Sequence, residues 1–70
     1  MGDVAKVVTI IGNSPESFAQ AAQVAVAEAA KTIRGITGAD VISMSANVED
    51  GRITNFKTTV NIAFAVEGTD

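Results

Sequence analysis

The alternation of apolar and polar positions divides the chain into four segments. Residues 3–11, DVAKVVTII, are rich in Val, Ile and Thr and predict a first strand. Lys6, Val8 and Ile10 fall on one face, and Ala5, Val7, Thr9 and Ile11 on the other. Both faces are largely apolar, so this strand is expected to be covered on both sides. Gly12-Asn13 turns the chain, and the period then changes. Phe18, Ala22, Ala25, Ala29, Ile33 and Ile36 recur at steps of three and four, predicting one helix of about twenty residues within 13–35. Ser14 reads as its N-cap and Pro15 as its first residue, with Glu16 at the positive end of the dipole. Lys31 and Arg34 suit the negative end, and Gly35 a left-handed stop. The Ala-rich stripe lets this helix lie very close to whatever it packs on.

After a short connection at Thr37-Gly38, residues 39–49 alternate again. Val41, Ser43, Ser45 and Asn47 lie on one face, and Ile42, Met44, Ala46 and Val48 on the other. Residues 52–67 alternate more strictly. Phe56, Thr58, Val60, Ile62, Phe64 and Val66 oppose Asn55, Lys57, Thr59, Asn61, Ala63 and Ala65. A two-residue turn at Asp50-Gly51 pairs Met44 with Lys57 and mixes the two faces. A three-residue turn, Glu49-Asp50-Gly51 with Gly51 left-handed, pairs Val48 with Arg52, Met44 with Phe56 and Ile42 with Thr58. The three-residue turn is therefore preferred.

The order is β-α-β-β. A helical crossover makes the first two strands parallel, and the hairpin makes the third antiparallel to both. With the long third strand in the centre, the sheet is entirely antiparallel. About fourteen strand residues extend for about 45 Å, more than the about 30 Å of the predicted helix. The sheet must therefore protrude or meet another chain. The fold class is α+β: a three-stranded antiparallel sheet partly wrapped around one helix, in a single domain spanning 1–70.

Composition sharpens the expectation of partner subunits. A 70-residue chain with no Cys and no His has neither disulfides nor the usual zinc ligands as staples. Its 47% hydrophobic content and mean hydropathy of +0.30 are high for a small soluble monomer. No apolar run reaches the about twenty residues needed to span a bilayer. The start MGDVAK lacks the signal-peptide pattern, and Lys6 stands where myristoylation wants Ser or Thr. A cytoplasmic protein is expected. The net charge of −3 and pI of 4.6 argue against nucleic-acid binding.

Catalytic chemistry is sparsely supplied. Without His, Cys, Trp or Tyr, the usual bases and nucleophiles are missing. Asp40, Glu49, Asp50 and Glu67 read as scattered surface charge, and no enzyme is expected. No standard nucleotide-binding loop occurs. Gly12-Asn13-Ser14 reads as an ordinary capped helix start, or else as an anion site at a helix N-terminus. Lys57 reads as a solvated strand lysine or a ligand contact. The polar face with Ser43, Ser45, Asn55, Lys57, Thr59 and Asn61 either faces water or lines a cavity closed by other subunits.

In order and over nearly the whole length, the chain resembles the dodecins. The similarity rests on Gly12-Asn13-Ser14-Pro15, Lys31-Thr32-Ile33-Arg34 and the closing Val60-Asn61-Ile62-Ala63-Phe64. The corresponding family patterns are G-T-S-P, K-T-L-R and K-V-G-F. The resemblance implies a hollow homododecamer that binds, stores or sequesters flavins such as FMN or riboflavin. It places the ligand at Gly38, Asp40 and Lys57. Gly38 stands where the family has a flavin-stacking Trp, Ala39 where it has a second aromatic, and Asp40 where it has Glu. Lys57 replaces a Gln that meets the flavin ring. With neither Trp nor Gln, flavin affinity is expected to be weak or lost. The other readings are a purely structural assembly, or a metal-storage shell whose carboxylates gather at symmetry axes around a hard cation such as Ca²⁺.

Overall fold

In the computed structural model, which describes residues 4–66, the long central strand organises everything else. The elements run β1 (Ala5–Ser14), α1 (Phe18–Ala30), β2 (Ile36–Glu49) and β3 (Arg52–Ala65). The sheet order is β1-β3-β2, with both pairings antiparallel. The alternation thus predicts the central strand and the topology correctly. Asp3 and Glu67, the outer ends of the predicted strands, lie outside the described residues. The domain assignment to 1–70 likewise includes ends that are not described.

Helix α1 lies over β1 and β3 and leaves β2 almost bare. Ala21, Ala25 and Ala29 form its buried edge, one position off the predicted stripe at its start. Ala25 and Ala29 meet Val60 and Ile62, with Val8, Ile10, Val26 and Ile33 around them. Gly12 is what lets the helix come so near. A Cβ there would stand 1.9 Å from the Ala21 carbonyl oxygen. The buried Thr58 hydroxyl ties the sheet to the first helical turn, donating to the Phe18 carbonyl at 2.8 Å. Beside it Phe18 meets Phe56 edge to face, with centroids 5.0 Å apart. Thr58→Val keeps the shape and removes this bond, and is expected to cost about 1 kcal/mol. A denaturation midpoint unmoved by the substitution would show that the bond contributes nothing.

The helix starts later and stops earlier than its sequence signals predict. Ser14 belongs to the sheet, opposite Phe56. Its buried hydroxyl accepts from the Glu16 and Ser17 N–H groups at 2.9 and 3.4 Å, holding the bend between strand and helix. Ser17 is the N-cap, accepting from the Gln20 N–H at 2.9 Å. Glu16 precedes this cap and is not a first-turn residue. At the other end, Lys31 caps the helix in a right-handed conformation. Gly35 does take a positive φ of 75°, but it serves the entry into β2. There its carbonyl accepts from the Ala65 N–H at 3.0 Å.

The β2–β3 turn corrects the sequence reading. Glu49 pairs with Arg52, so the loop has two residues, Asp50 at φ 51° and Gly51 at φ 76°. Positive φ at both central positions is the turn type whose twist matches a tight hairpin. The mismatch of faces that spoke against it is absorbed by a bulge. Asn47 pairs with Asn55 and Val48 with Ile53, so Thr54 is the extra residue. Met44 consequently opposes Thr58, not Phe56, yet it keeps to the helix-side face. A second irregularity leaves Ile42 between the pairs Val41–Val60 and Ser43–Thr59. Ile42 therefore does not oppose Thr58, and Val41 moves to the opposite face from Ser43 and Ser45.

The protomer is long for its size, at 55 × 20 × 13 Å. Its radius of gyration is 14.6 Å, against about 11 Å for a compact chain of this length. The 13-residue helix extends only about 20 Å.

Candidate functional site

The helix-free face of the sheet carries all three residues that the dodecin resemblance singles out. Cross-strand register arranges this face in rows of three. Asn13, Lys57 and Ser45 form one row, Ile11, Thr59 and Ser43 the next, then Thr9, Asn61 and Asp40, then Val7, Ala63 and Gly38. The irregularity at Ile42 decides this. Unbroken alternation would leave Gly38 and Asp40 on the face of Met44, under the helix side. Instead they share the face of Lys57.

They share a face but do not touch. Lys57 and Asp40 are separated by two rows, about 13 Å along the strand. Gly38 is exposed, with open space for 4 Å around the point where a Cβ would stand. Ala39 opposes Ile62 and lies on the helix side, away from the other three. Strand β1 adds two polar residues that the β2 and β3 alternation alone does not reveal. Thr9 donates to the Asn61 Oδ1 at 2.7 Å, and the Asn55 Nδ2 donates to the Asn13 Oδ1 at 3.1 Å. The register of β1 on β3 is the signal that finds them.

Gly12-Asn13-Ser14 is not an anion loop. These residues end β1, and Gly12 is sealed under Ala21. The Ser14 hydroxyl already takes the Glu16 and Ser17 N–H groups that such a loop would offer. The carboxylates remain dispersed: Asp40, Glu49 and Asp50 are all exposed, and Glu67 lies outside the described residues. Among the described residues, no three of His, Cys, Asp and Glu cluster closely enough to hold a metal ion. The ion pair of Lys31 with Glu28, at 2.8 Å, lies on the exposed helix surface. The hydrogen bond that Lys31 donates to the Glu28 carboxylate, together with that carboxylate's charge, raises the Lys31 pKa. It has no part in the sheet face.

The family model of the dodecins matches residues 4–67. Among solved structures, a protein of Thermus thermophilus is 28% identical, with a TM-score of 0.92 over 97% of this chain and 100% of that one. The dodecin of Streptomyces coelicolor is 25% identical, with a TM-score of 0.90 over 96% of both chains. The calcium-chelating antigen of Mycobacterium tuberculosis, a calcium dodecin with a novel calcium-binding site, is 34% identical. Its TM-score is 0.79, again over 96% of both chains. No curated protein matches the chain. With the family pattern running through β1, α1 and the hairpin, and the same β-α-β-β fold in these structures, the chain belongs to the dodecin family.

Proposed function

We infer that this dodecin assembles into a hollow homododecamer that binds and sequesters a small ligand and catalyses no reaction. The observation that carries the reading is the bare helix-side face of β2. Val41, Met44 and Val48 lie there 53–62% exposed, on a protomer too elongated to cover them itself. A contiguous apolar strand face of this kind is normally buried by a partner. Partner subunits are also the one staple left to a chain without Cys or His. No helix among the described residues is long and apolar enough to cross a membrane, and we place the assembly in the cytoplasm. Light scattering at micromolar concentration is expected to give about 85 kDa, twelve times the 7.1 kDa protomer. A folded 7.1 kDa particle would end the reading.

We place the ligand on the helix-free face. Flavin, FMN or riboflavin, is the ligand implied by family, and Gly38 and Lys57 weaken it by removing a ring and an amide. Calcium is a second reading, favoured by the 34% identity to a calcium dodecin. Asp40, Glu49 and Asp50 would then act across copies, since one protomer does not gather them. Visible absorbance of the purified protein separates the two, because bound flavin is yellow and calcium is colourless. A melting temperature lowered by chelator would point to calcium.

A further inference from the structure

Lys57 sits in the middle of the central strand, flanked by Asn13 of β1 and Ser45 of β2. It is half-buried yet takes part in no ion pair; the ion pair found among the described residues is that of Glu28 with Lys31. The carboxylates on its own face, Asp40 and Glu49, are each two rows away. Its neighbours on this face are uncharged groups that can donate hydrogen bonds. The Asn13 Oδ1 is taken by the Asn55 Nδ2, which leaves the Asn13 Nδ2 to donate elsewhere. Among the described residues, the hydroxyls of Ser45 and Thr59 have no hydrogen-bond partner. A partly desolvated ammonium ringed by open donors is complementary to an anion.

The geometry points to an oxyanion site built by Lys57 with Asn13, Ser45 and Thr59, which takes the phosphate group of a small phosphorylated ligand. The donors come from all three strands, about 4.8 Å apart. A phosphate offers three terminal oxygens and nearly two charges to such a set, while a planar carboxylate uses only part of it. Among the described residues, those in the row of Lys57 and in the rows on either side of it are uncharged, so the preference is for the charged group of the ligand rather than its ring. This rests on the ligand-binding reading above and specifies its chemistry: phosphorylated molecules in preference to their neutral counterparts.

The test is a phosphorus NMR titration of inorganic phosphate with the full chain. The phosphate resonance is expected to shift or broaden saturably. Lys57→Gln, which removes the charge and keeps the length, should weaken the response about tenfold, and Lys57→Arg should retain it. FMN and riboflavin, identical except for the phosphate, then serve as a matched pair. FMN is expected to bind about tenfold tighter to the unmodified chain, and equally with riboflavin to Lys57→Gln. No phosphate response, or a response indifferent to Lys57→Gln, overturns the site. Light scattering on the same samples keeps the two readings apart. A monomer that still engages phosphate through Lys57 sinks the shell and leaves the site, and a dodecamer that ignores phosphate does the reverse.

Discussion

Gly12→Ala is expected to destabilise the fold by about 3 kcal/mol or more, an effect out of proportion to one methyl group. The added Cβ would stand 1.9 Å from the Ala21 carbonyl oxygen and 3.0 Å from the Ala25 Cβ. The first of these is helix backbone, which has no rotamer to give way. The helix must lift instead, drawing Ala25 and Ala29 off Val60 and Ile62 and stretching the 2.8 Å bond from Thr58 to Phe18. Alanine's better backbone entropy in a strand returns less than about 1 kcal/mol, so the clash wins. Gly38→Ala is the control. Nothing lies within 4 Å of its added Cβ, and its midpoint should move by no more than about 0.5 kcal/mol. Denaturant midpoints must be compared at one protein concentration, because association raises apparent stability. Equal shifts for the two glycines would refute the close approach of helix and strand.

Gly38→Trp is expected to restore flavin affinity by about hundredfold or more. An indole buries about 150–250 Å² at about 25 cal/mol per Å², and its stack adds about 1 kcal/mol. Association costs consume part of this, but half of the total is still about hundredfold in Kd. The site has room for the ring. Gly38 is exposed, its Cβ direction is open, and it looks out on the same face as Lys57. Riboflavin is the cleaner probe, since it has no phosphate for Lys57 to hold. Adding Lys57→Gln should improve riboflavin binding further by supplying an amide and removing a charge that the ring would desolvate. Fluorescence quenching measures both. Tight, stoichiometric quenching by the unmodified chain, or no gain from Gly38→Trp, would defeat the prediction.

Much of this fold is legible in the order of residues because it depends on periods. The alternation from Asn55 to Ala65 in β3 allows one face to be apolar and the other largely polar, which identifies the central strand before any contact is known. The helix is legible in the same way, but its ends are not. Ser14-Pro15 has the look of a cap and first residue, yet the ladder claims Ser14 opposite Phe56 and delays the helix to Ser17. The spacing from Ser17 to Gln20 carries a cap signal too, and local chemistry has no means of ranking the two. At the far end, β-branched Thr32 and Ile33 follow the last turn, and Ile33 packs against the core outside the helix.

Sequence by itself determined the element order, the central strand, the Ala-rich helix contact, the positive φ at Gly51 and the dodecin resemblance. Each of these is local or periodic. Tertiary structure decided the register, and with it the candidate site. The tight turn at Asp50-Gly51 sets the strands in a pairing that would mix faces, and a bulge at Thr54 corrects it. The irregularity at Ile42 then reverses the facing of Gly38 and Asp40, bringing them to the side of Lys57. Alternation has no memory of an inserted residue. One unpaired position, chosen by how β2 must bend to follow β3, sends every side chain beyond it to the other face.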